Sequence, residues 1–402
     1  MPKVLRIINR FNLGGISYNV SYLSRYMPES YETMLIGGPE EKGEESSLYI
    51  PESIGLKPIL VEEMRRSINP LSDYFAYRKI KKIIREFKPD IVHTHASKAG
   101  AIGRMAAIHC KVPIIVHTFH GHVFKGYFGP VVTDFFKRVE RYLAKKSSAI
   151  VAISNIQKRD LSEVYSICEA DKIQVVPLGF DLKRFSEHKE EKRRQFRSRF
   201  HVQDDELAIG IIGRLAPIKN HFLFIDAIAE LTKHSSRKVK ALIIGDGETR
   251  DSLCAYLDTK GLSYNMGENS DALFVFTSWI KEVDVALAGL DLVCLSSKNE
   301  GTPVSLIEAQ AGGKFIVSTE VGGIKDILHP DCGLLSDPDK PEDFIRHVSE
   351  AVVNFDNYAA RAGVASVEVI QKFGYQRLCS DMDALYQRLL SSHAKILPGQ
   401  VK

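Results

Sequence analysis

The feature that most constrains this chain is an alternation. Short runs of Val, Ile and Leu end in glycine or polar residues and give way to longer segments of helical periodicity. Strands are expected at Val4–Ile8, Asp90–Thr94, Pro113–Thr118 and Ala149–Ile153 in the first half. The second half repeats the pattern at Ala208–Ile212, Val239–Ile244, Leu273–Phe276, Leu292–Leu295 and Phe315–Ser318. Strands that alternate with helices pair in parallel and carry the helices on the faces of the sheet, an α/β architecture. A chain of 402 residues is too long for one core, so two domains are expected. The Lys-Glu-Arg-rich stretch 182–206, after the turn Pro177–Asp181, marks the boundary.

Composition narrows the class. The apolar fraction of 44% and the charged fraction of 26% are those of a water-soluble globular protein. The net charge of +4 is too small to imply nucleic-acid binding. No apolar run approaches the ~20 residues needed to span a bilayer, and the start of the chain resembles a first strand rather than a signal peptide. The six cysteines stand singly at 110, 168, 254, 294, 332 and 379, which fits a reducing cytoplasm and argues against zinc.

The segment Lys298–Ala309 carries the most chemistry. Glu300 and Glu308 have seven residues between them and flank an expected helix start. Thr302 suits the N-cap and Pro303 the first helical position, where a missing N–H costs nothing. Free N–H groups at Val304 and Ser305 would then receive an anion. Taken alone, the segment equally describes a capped surface helix whose glutamates face solvent. Upstream, Ile209–Ile212 reads as a strand entering the loop Gly213 to Asn220, with Asn220 a candidate N-cap for the amphipathic run from Phe222. Arg214 and Lys219 therefore fall at the carboxyl edge of a strand, where open α/β sheets bind ligands and fixed cations can neutralise a diphosphate.

These elements resemble, in order and over nearly the whole chain, family 4 of the GT-B glycosyltransferases. Glu300 to Glu308 matches its E-x7-E element and Gly213 to Asn220 its G-R-L-x3-K-N loop. Gly245-Asp246-Gly247 with Arg250 matches I-G-D-G-x2-R, and Pro177 to Phe185 matches P-x-G-x-D-x2-R-F. The resemblance implies an α/β GT-B fold of two Rossmann-like domains facing across a deep cleft. Residues 1–183 would bind the acceptor, with a C-terminal helix at 375–392 packing back on them, and residues 184–374 would bind the donor. The implied reaction is retaining transfer of a sugar from a nucleotide diphosphate, UDP favoured, to an acceptor hydroxyl, in bacterial surface polysaccharide or other glycan assembly. The acceptor would be a glycan, a lipid-linked sugar or a small molecule. The implied place is the cytoplasm.

Roles follow from the same resemblance. Arg214 and Lys219 would hold the diphosphate, Glu308 the ribose and Glu300 the sugar hydroxyls. Gly15, Gly213, Thr302, Val304 and Ser305 would line the donor site. Trp279 and Ile280 would hand backbone groups to the nucleobase, with Ser278 and Pro303 standing where relatives carry glycine. On the acceptor side stand Gly14, His93, His95, Lys98, His120 and His122, and His120 matches the histidine that lies near the transferred sugar. Arg214, Lys219, Glu300 and His120 would serve the chemistry, with no metal and no cofactor.

Other readings compete at single positions. The Gly14-Gly15 turn lacks the G-x-G-x-x-G spacing of a dehydrogenase. The histidines of His93-Thr94-His95 and His117 to His122 have no acidic or thiol partner nearby for a zinc site. Asp337 and Asp339 read as a loop and helix start rather than a metal motif. Phe135, Phe136, Val139, Tyr142 and Leu143, with Lys137, Arg138, Arg141 and Lys145, suit either a core face with a solvated back or a helix lying on an anionic membrane surface, with Phe124, Tyr127 and Phe128 just before it. For the whole chain the alternatives are a nucleotide-sugar epimerase, which needs no acceptor, and a non-catalytic nucleotide-sugar-binding regulator.

Overall fold

The computed structural model describes residues 1–12, 14–41, 46–65, 67, 69–121, 124, 129–268 and 271–396. The chain divides into two compact units. The first comprises Met1–Phe180 with Phe373–Lys402, and the second Asp181–Lys372.

The first unit holds one parallel sheet of seven strands: β1 (Lys3–Arg10), β2 (Glu32–Gly38), β3 (Ile59–Leu60), β4 (Ile91–His95), β5 (Ile114–Phe119), β6 (Ala149–Ala152) and β7 (Ile173–Val175). Their order is β3-β2-β1-β4-β5-β6-β7. The order reverses between β1 and β4, so the loops leaving these two strands diverge and open a crevice at their carboxyl ends. One face packs Leu5, Ile7 and Val92 against Ile80 and Ile84 of helix Pro70–Phe87. The other packs Val4, Ile91 and Val116 against Leu378, Met382 and Tyr386 of the last helix, Tyr375–Ile396. That helix is tied to the first unit by backbone bonds from Phe180 to Phe373 and from Tyr375 to Phe180, at 2.9 and 3.0 Å. The unit boundary thus falls at 180/181, three residues before 183/184.

The second unit repeats the architecture with β8 (Glu206–Ile212), β9 (Lys238–Ile244), β10 (Tyr264–Met266), β11 (Phe274–Ser278), β12 (Leu292–Leu295), β13 (Phe315–Thr319) and β14 (Gly333–Ser336). The order is β10-β11-β9-β8-β12-β13-β14, again all parallel. Here the reversal lies between β8 and β12. The strands are fully apolar at their centres (Ile209, Ile211, Leu242, Ile243, Val293, Ile316), as expected of a sheet covered on both faces. No described helix is long and apolar enough to cross a membrane.

Candidate active site

In the second unit the switch point gathers the expected donor residues on the loops that leave β8 and β12. The β8 loop is zipped to the β9 loop by Gly213 N–H to the Ile244 carbonyl (2.9 Å), Leu215 N–H to Asp246 (3.0 Å) and Thr249 N–H to Leu215 (3.0 Å). This close approach explains the glycines of the β9 loop. A Cβ on Gly245, which sits at φ +138°, would lie 2.0 Å from the Gly213 carbonyl oxygen. On the other side, Ser296 donates to the carbonyls of Lys219 and Asn220 (3.1 and 2.9 Å), and Lys298 N–H bonds to Ile218 (2.8 Å).

Lys219 and Glu300, 81 residues apart in sequence, meet at the centre of these loops. The Lys219 ammonium donates to Glu300 Oε1 at 2.5 Å, and Ser297 donates to the same oxygen at 2.6 Å. Glu300 is itself held from behind by the β13 loop, where Gly323 N–H reaches the Gly301 carbonyl at 2.9 Å. A Cβ on Gly322 would stand 1.7 Å from the Glu300 carbonyl oxygen. Sequence reasoning passed over Ser297 and this Gly322-Gly323 turn. The adjacent glycines after a strand were the available signal.

Three expectations change in detail. Pro303, not Thr302, occupies the cap position of helix Val304–Ala311, with extended backbone and no side-chain cap bond. Proline at the cap has neither a side-chain acceptor nor an N–H, and the first-turn donors at Val304 and Ser305 point out of the helix end. Asn220 precedes helix His221–His234 in the left-handed region, φ 51°, and its side chain caps nothing. Arg214 is at the loop as expected but is largely exposed, and its Nε and Nη2 bond Glu248 Oε2 at 3.2 and 3.0 Å.

Glu308 lies one turn inside its helix with only 16% of its side chain exposed. Burial pushes its carboxyl up to about 7; Arg184, whose Nη2 is 4.0 Å from Oε1, opposes that rise, and Asp284 adds to it. Ser278 ends β11 at φ +58°, a conformation that costs a non-glycine residue about 1–2 kcal/mol. Trp279, immediately after it, is more than half exposed. A pocket of 350 Å³ lies beside this strand end, lined by Gly245, Asp246, Arg250, Met266, Phe276 and Ser278.

In the first unit, at the β1/β4 switch point, Gly14 caps helix Gly15–Tyr26 after β1, and Ala96 leads from β4 directly into helix Ser97–His109, whose first turn carries Lys98. Gly14 is exposed, and a Cβ there would meet nothing within 4 Å, so packing does not require glycine at this position. His93, His95 and His117 form a buried tier, with His120 half-buried beside it. His93 is fully buried, with Nδ1 2.6 Å from the Tyr386 hydroxyl and Nε2 2.7 Å from Thr118 Oγ1. Both ring nitrogens are used, so His93 leaves the acceptor set. His95 is also buried, and its Nδ1 lies 3.0 Å from Nε2 of His120. The outer nitrogens of that pair, His95 Nε2 and His120 Nδ1, have no partner. Burial holds both imidazoles neutral, with His120 lowered to about 4. Lys98 is committed to Asp73 (2.6 Å) and to the Ser67 carbonyl (2.5 Å), which takes it from a free acceptor contact to a loop tether. His122, Tyr127 and Phe128 lie outside the described residues.

Among the described residues no group of three His, Cys, Asp or Glu side chains is placed to hold a metal ion. Asp337 accepts from Asp339 N–H (3.0 Å) and pairs with Lys340 (3.2 Å) in the loop before helix Pro341–Val353. On helix Pro130–Lys146 the stripe splits. Leu143 and Ala144 are buried, while Val131, Val132, Phe135 and Tyr142 are exposed.

Comparison with known proteins bears on the family and the fold. The family model described as Glycosyltransferase Family 4 matches residues 13–184, and the one described as Glycosyl transferases group 1 matches residues 206–354. A relative from Escherichia coli, named UDP-Gal:alpha-D-GlcNAc-diphosphoundecaprenol alpha-1,3-galactosyltransferase, is 27% identical over 279 residues, 68% of each chain. The D-inositol 3-phosphate glycosyltransferase of Jonesia denitrificans is 27% identical over 308 residues, 74% of this chain and 72% of its own. Among solved structures, a glycosyltransferase from Rickettsia africae superposes with a TM-score of 0.80 at 20% identity, covering 97% of this chain and 98% of its own. Anabaena HepE in complex with UDP does so with a TM-score of 0.78 at 18% identity, covering 96% and 100%.

Proposed function

Because this chain belongs to the family 4 glycosyltransferases of the GT-B fold and uses a nucleotide-sugar donor, we propose that its donor is a UDP-sugar, transferred with retention to a hydroxyl of a lipid-linked or other glycan acceptor. The observation that carries the assignment of the site is the meeting of Lys219 and Glu300 at the β8/β12 switch point, beside the amino end of helix Val304–Ala311. A cation, outward N–H groups and a carboxylate there form a receptor for a diphosphate that bears a polyol. The name of the Escherichia coli relative supports UDP and a diphosphate-linked acceptor, and the UDP complex of Anabaena HepE supports UDP.

In this reading Lys219, Arg214 and the N–H groups of Val304 and Ser305 take the charge that develops on the leaving diphosphate. Glu308 accepts from the ribose, and Glu300 from the sugar once Lys219 turns to phosphate. Trp279 and Ile280 border the nucleobase. On the acceptor side stand Gly14, Gly15 and the His95–His120 pair, whose neutral imidazole at position 120 offers a hydrogen bond rather than a charge. Arg214 and Lys219 replace a metal ion. The exposed Val131, Phe135 and Tyr142, with Lys137 and Lys145 on the same helix, would rest on an anionic membrane that presents the acceptor.

The test is turnover. UDP- and GDP-linked sugars are offered with an N-acetylglucosaminyl diphosphate lipid or a free glycan, and the anomeric configuration of the product is read by NMR. A product of inverted configuration, or turnover confined to GDP-sugars, would overturn the corresponding part of the proposal.

A further inference from the structure

The Arg-Phe pair that closes the P-x-G-x-D-x2-R-F element has so far been given no role beyond the nearness of Arg184 to Glu308. Arg184 lies on the short helix Lys183–Ser186, which packs against helix Val304–Ala311. Its Nη2 stands 4.0 Å from Glu308 Oε1, too far for a hydrogen bond but close enough for its charge to act on the carboxylate. Its Nε is buried and has no partner. The guanidinium is stacked 4.9 Å over the Phe185 ring, which fixes its plane, and Lys192 donates to the Arg184 carbonyl at 2.5 Å, which fixes its backbone. This is a cation held in place, with donor capacity left over, behind the carboxylate assigned to the ribose.

We infer that Arg184 is the positioning residue for Glu308, keeping its carboxylate ionised and aimed so that both oxygens accept from the donor ribose. The inference rests on the proposed role of Glu308. The charged groups facing that carboxylate come from three directions. Helix Lys183–Ser186 supplies Arg184; helix Val283–Gly289 supplies Asp284; and helix Lys189–Arg199 supplies Lys192, which neutralises Asp284 at 2.9 Å. Arg184 is therefore the cation with no carboxylate nearer to it than Glu308 among the described ion pairs.

The chemistry requires such a partner. An ionised carboxylate accepts from two hydroxyls, whereas a protonated one gives up an acceptor to carry a proton. Glu308 is buried enough to titrate at about 7, so without Arg184 the neutral form would prevail near neutral pH. Binding that selects the ionised form strengthens as pH rises through that value, and removing the cation moves the midpoint upward.

The experiment measures affinity by calorimetry from pH 5.5 to 9, using whichever of UDP and GDP binds the wild type more tightly, together with its 2′-deoxy analogue. Wild type, Arg184→Lys and Arg184→Gln are compared. The expected wild-type affinity for the ribonucleotide rises to a plateau above neutrality, and the deoxy analogue binds more weakly with a flatter profile. In Arg184→Gln the midpoint moves to higher pH, so for one unit of displacement the loss is about fivefold near pH 7, approaches about tenfold at the acid end of the range and closes towards pH 9. Arg184→Lys restores most of the profile, and it carries the test if the glutamine variant does not fold. Equal loss at every pH, or an unshifted midpoint, would assign Arg184 a purely structural role while leaving Glu308 on the ribose. Equal binding of ribo- and deoxyribonucleotide by the wild type would instead remove Glu308 from the ribose, and the inference with it.

Discussion

Removing the charge of Glu300 should tighten, not weaken, the binding of a bare nucleoside diphosphate. The ammonium assigned to the diphosphate is engaged by Glu300 at 2.5 Å, and on the proposed roles donor binding must pull it away. Hydrogen bonds to charged groups contribute about 1.5–3 kcal/mol when shielded, and exposed ion pairs only about 0.2–1 kcal/mol. Lys219 is 24% exposed at its side chain and Glu300 9%, which places this pair between those limits. Freeing Lys219 is then worth about 1–2 kcal/mol, a fivefold to thirtyfold gain in affinity. Glu300→Gln keeps the bond from Ser297 and the shape of the loop, so the change isolates the charge. Calorimetric titration of UDP and GDP into wild type, Glu300→Gln, Lys219→Met and the double variant closes the cycle. The gain should vanish when Lys219 is absent, and turnover of the intact sugar donor should fall in Glu300→Gln despite its tighter nucleotide. Unchanged or weaker binding in Glu300→Gln, or a gain that survives Lys219→Met, would refute the interlock.

Three further outcomes are expected. On the proposed roles of Lys219 and Arg214, which would supply the charge a metal would bring, activity should persist in EDTA; loss on chelation with rescue by manganese or magnesium would return attention to Asp337 and Asp339. Gly245→Ala, at φ +138° with its new methyl aimed at the Gly213 carbonyl, should lower the melting temperature and weaken nucleotide binding, since strain alone costs about 1–3 kcal/mol; an unaltered melting curve would show that the β8 and β9 loops yield freely. Binding to anionic vesicles should fall with salt and should be lost in the triple variant Val131→Ser, Phe135→Ser, Tyr142→Ser; equal sedimentation of that variant would remove helix Pro130–Lys146 from the membrane contact.

The central strands were legible because they are buried on both faces and read as unbroken apolar runs, as at Ile209–Ile212 and Leu292–Leu295. The strands that escaped notice lacked that signal. β2 opens with Glu32-Thr33 and closes with Gly37-Gly38, which resembles a turn; in fact a Cβ on Gly38 would meet the Met64 carbonyl oxygen at 1.9 Å, so the glycine is there for packing within the sheet. β3, β7, β10 and β14 are short and only partly buried, with too few residues to show a period.

The donor loops were readable as segments, since glycine, cation and helix start fall close together in the chain. Their mutual contacts were not. Nothing local says that Lys219 meets Glu300, or that His93 spends its ring on Tyr386, 293 residues away. A histidine at the end of a strand looks alike in sequence whether it faces a ligand or a neighbouring helix. The shift of the cap from Thr302 to Pro303 is a difference of one residue, the ordinary uncertainty of a helix end.

The most direct test of the donor site is the binding and turnover of a panel of UDP- and GDP-sugars by wild type and by the double variant Arg214→Ala, Lys219→Met. The account expects the wild type to bind one nucleoside diphosphate and to transfer its sugar. It also expects the double variant to fold with an unaltered circular-dichroism spectrum and to lose both binding and transfer, by at least about a hundredfold if each cation contributes about 1.5–3 kcal/mol. Undiminished affinity and turnover in that variant would contradict it.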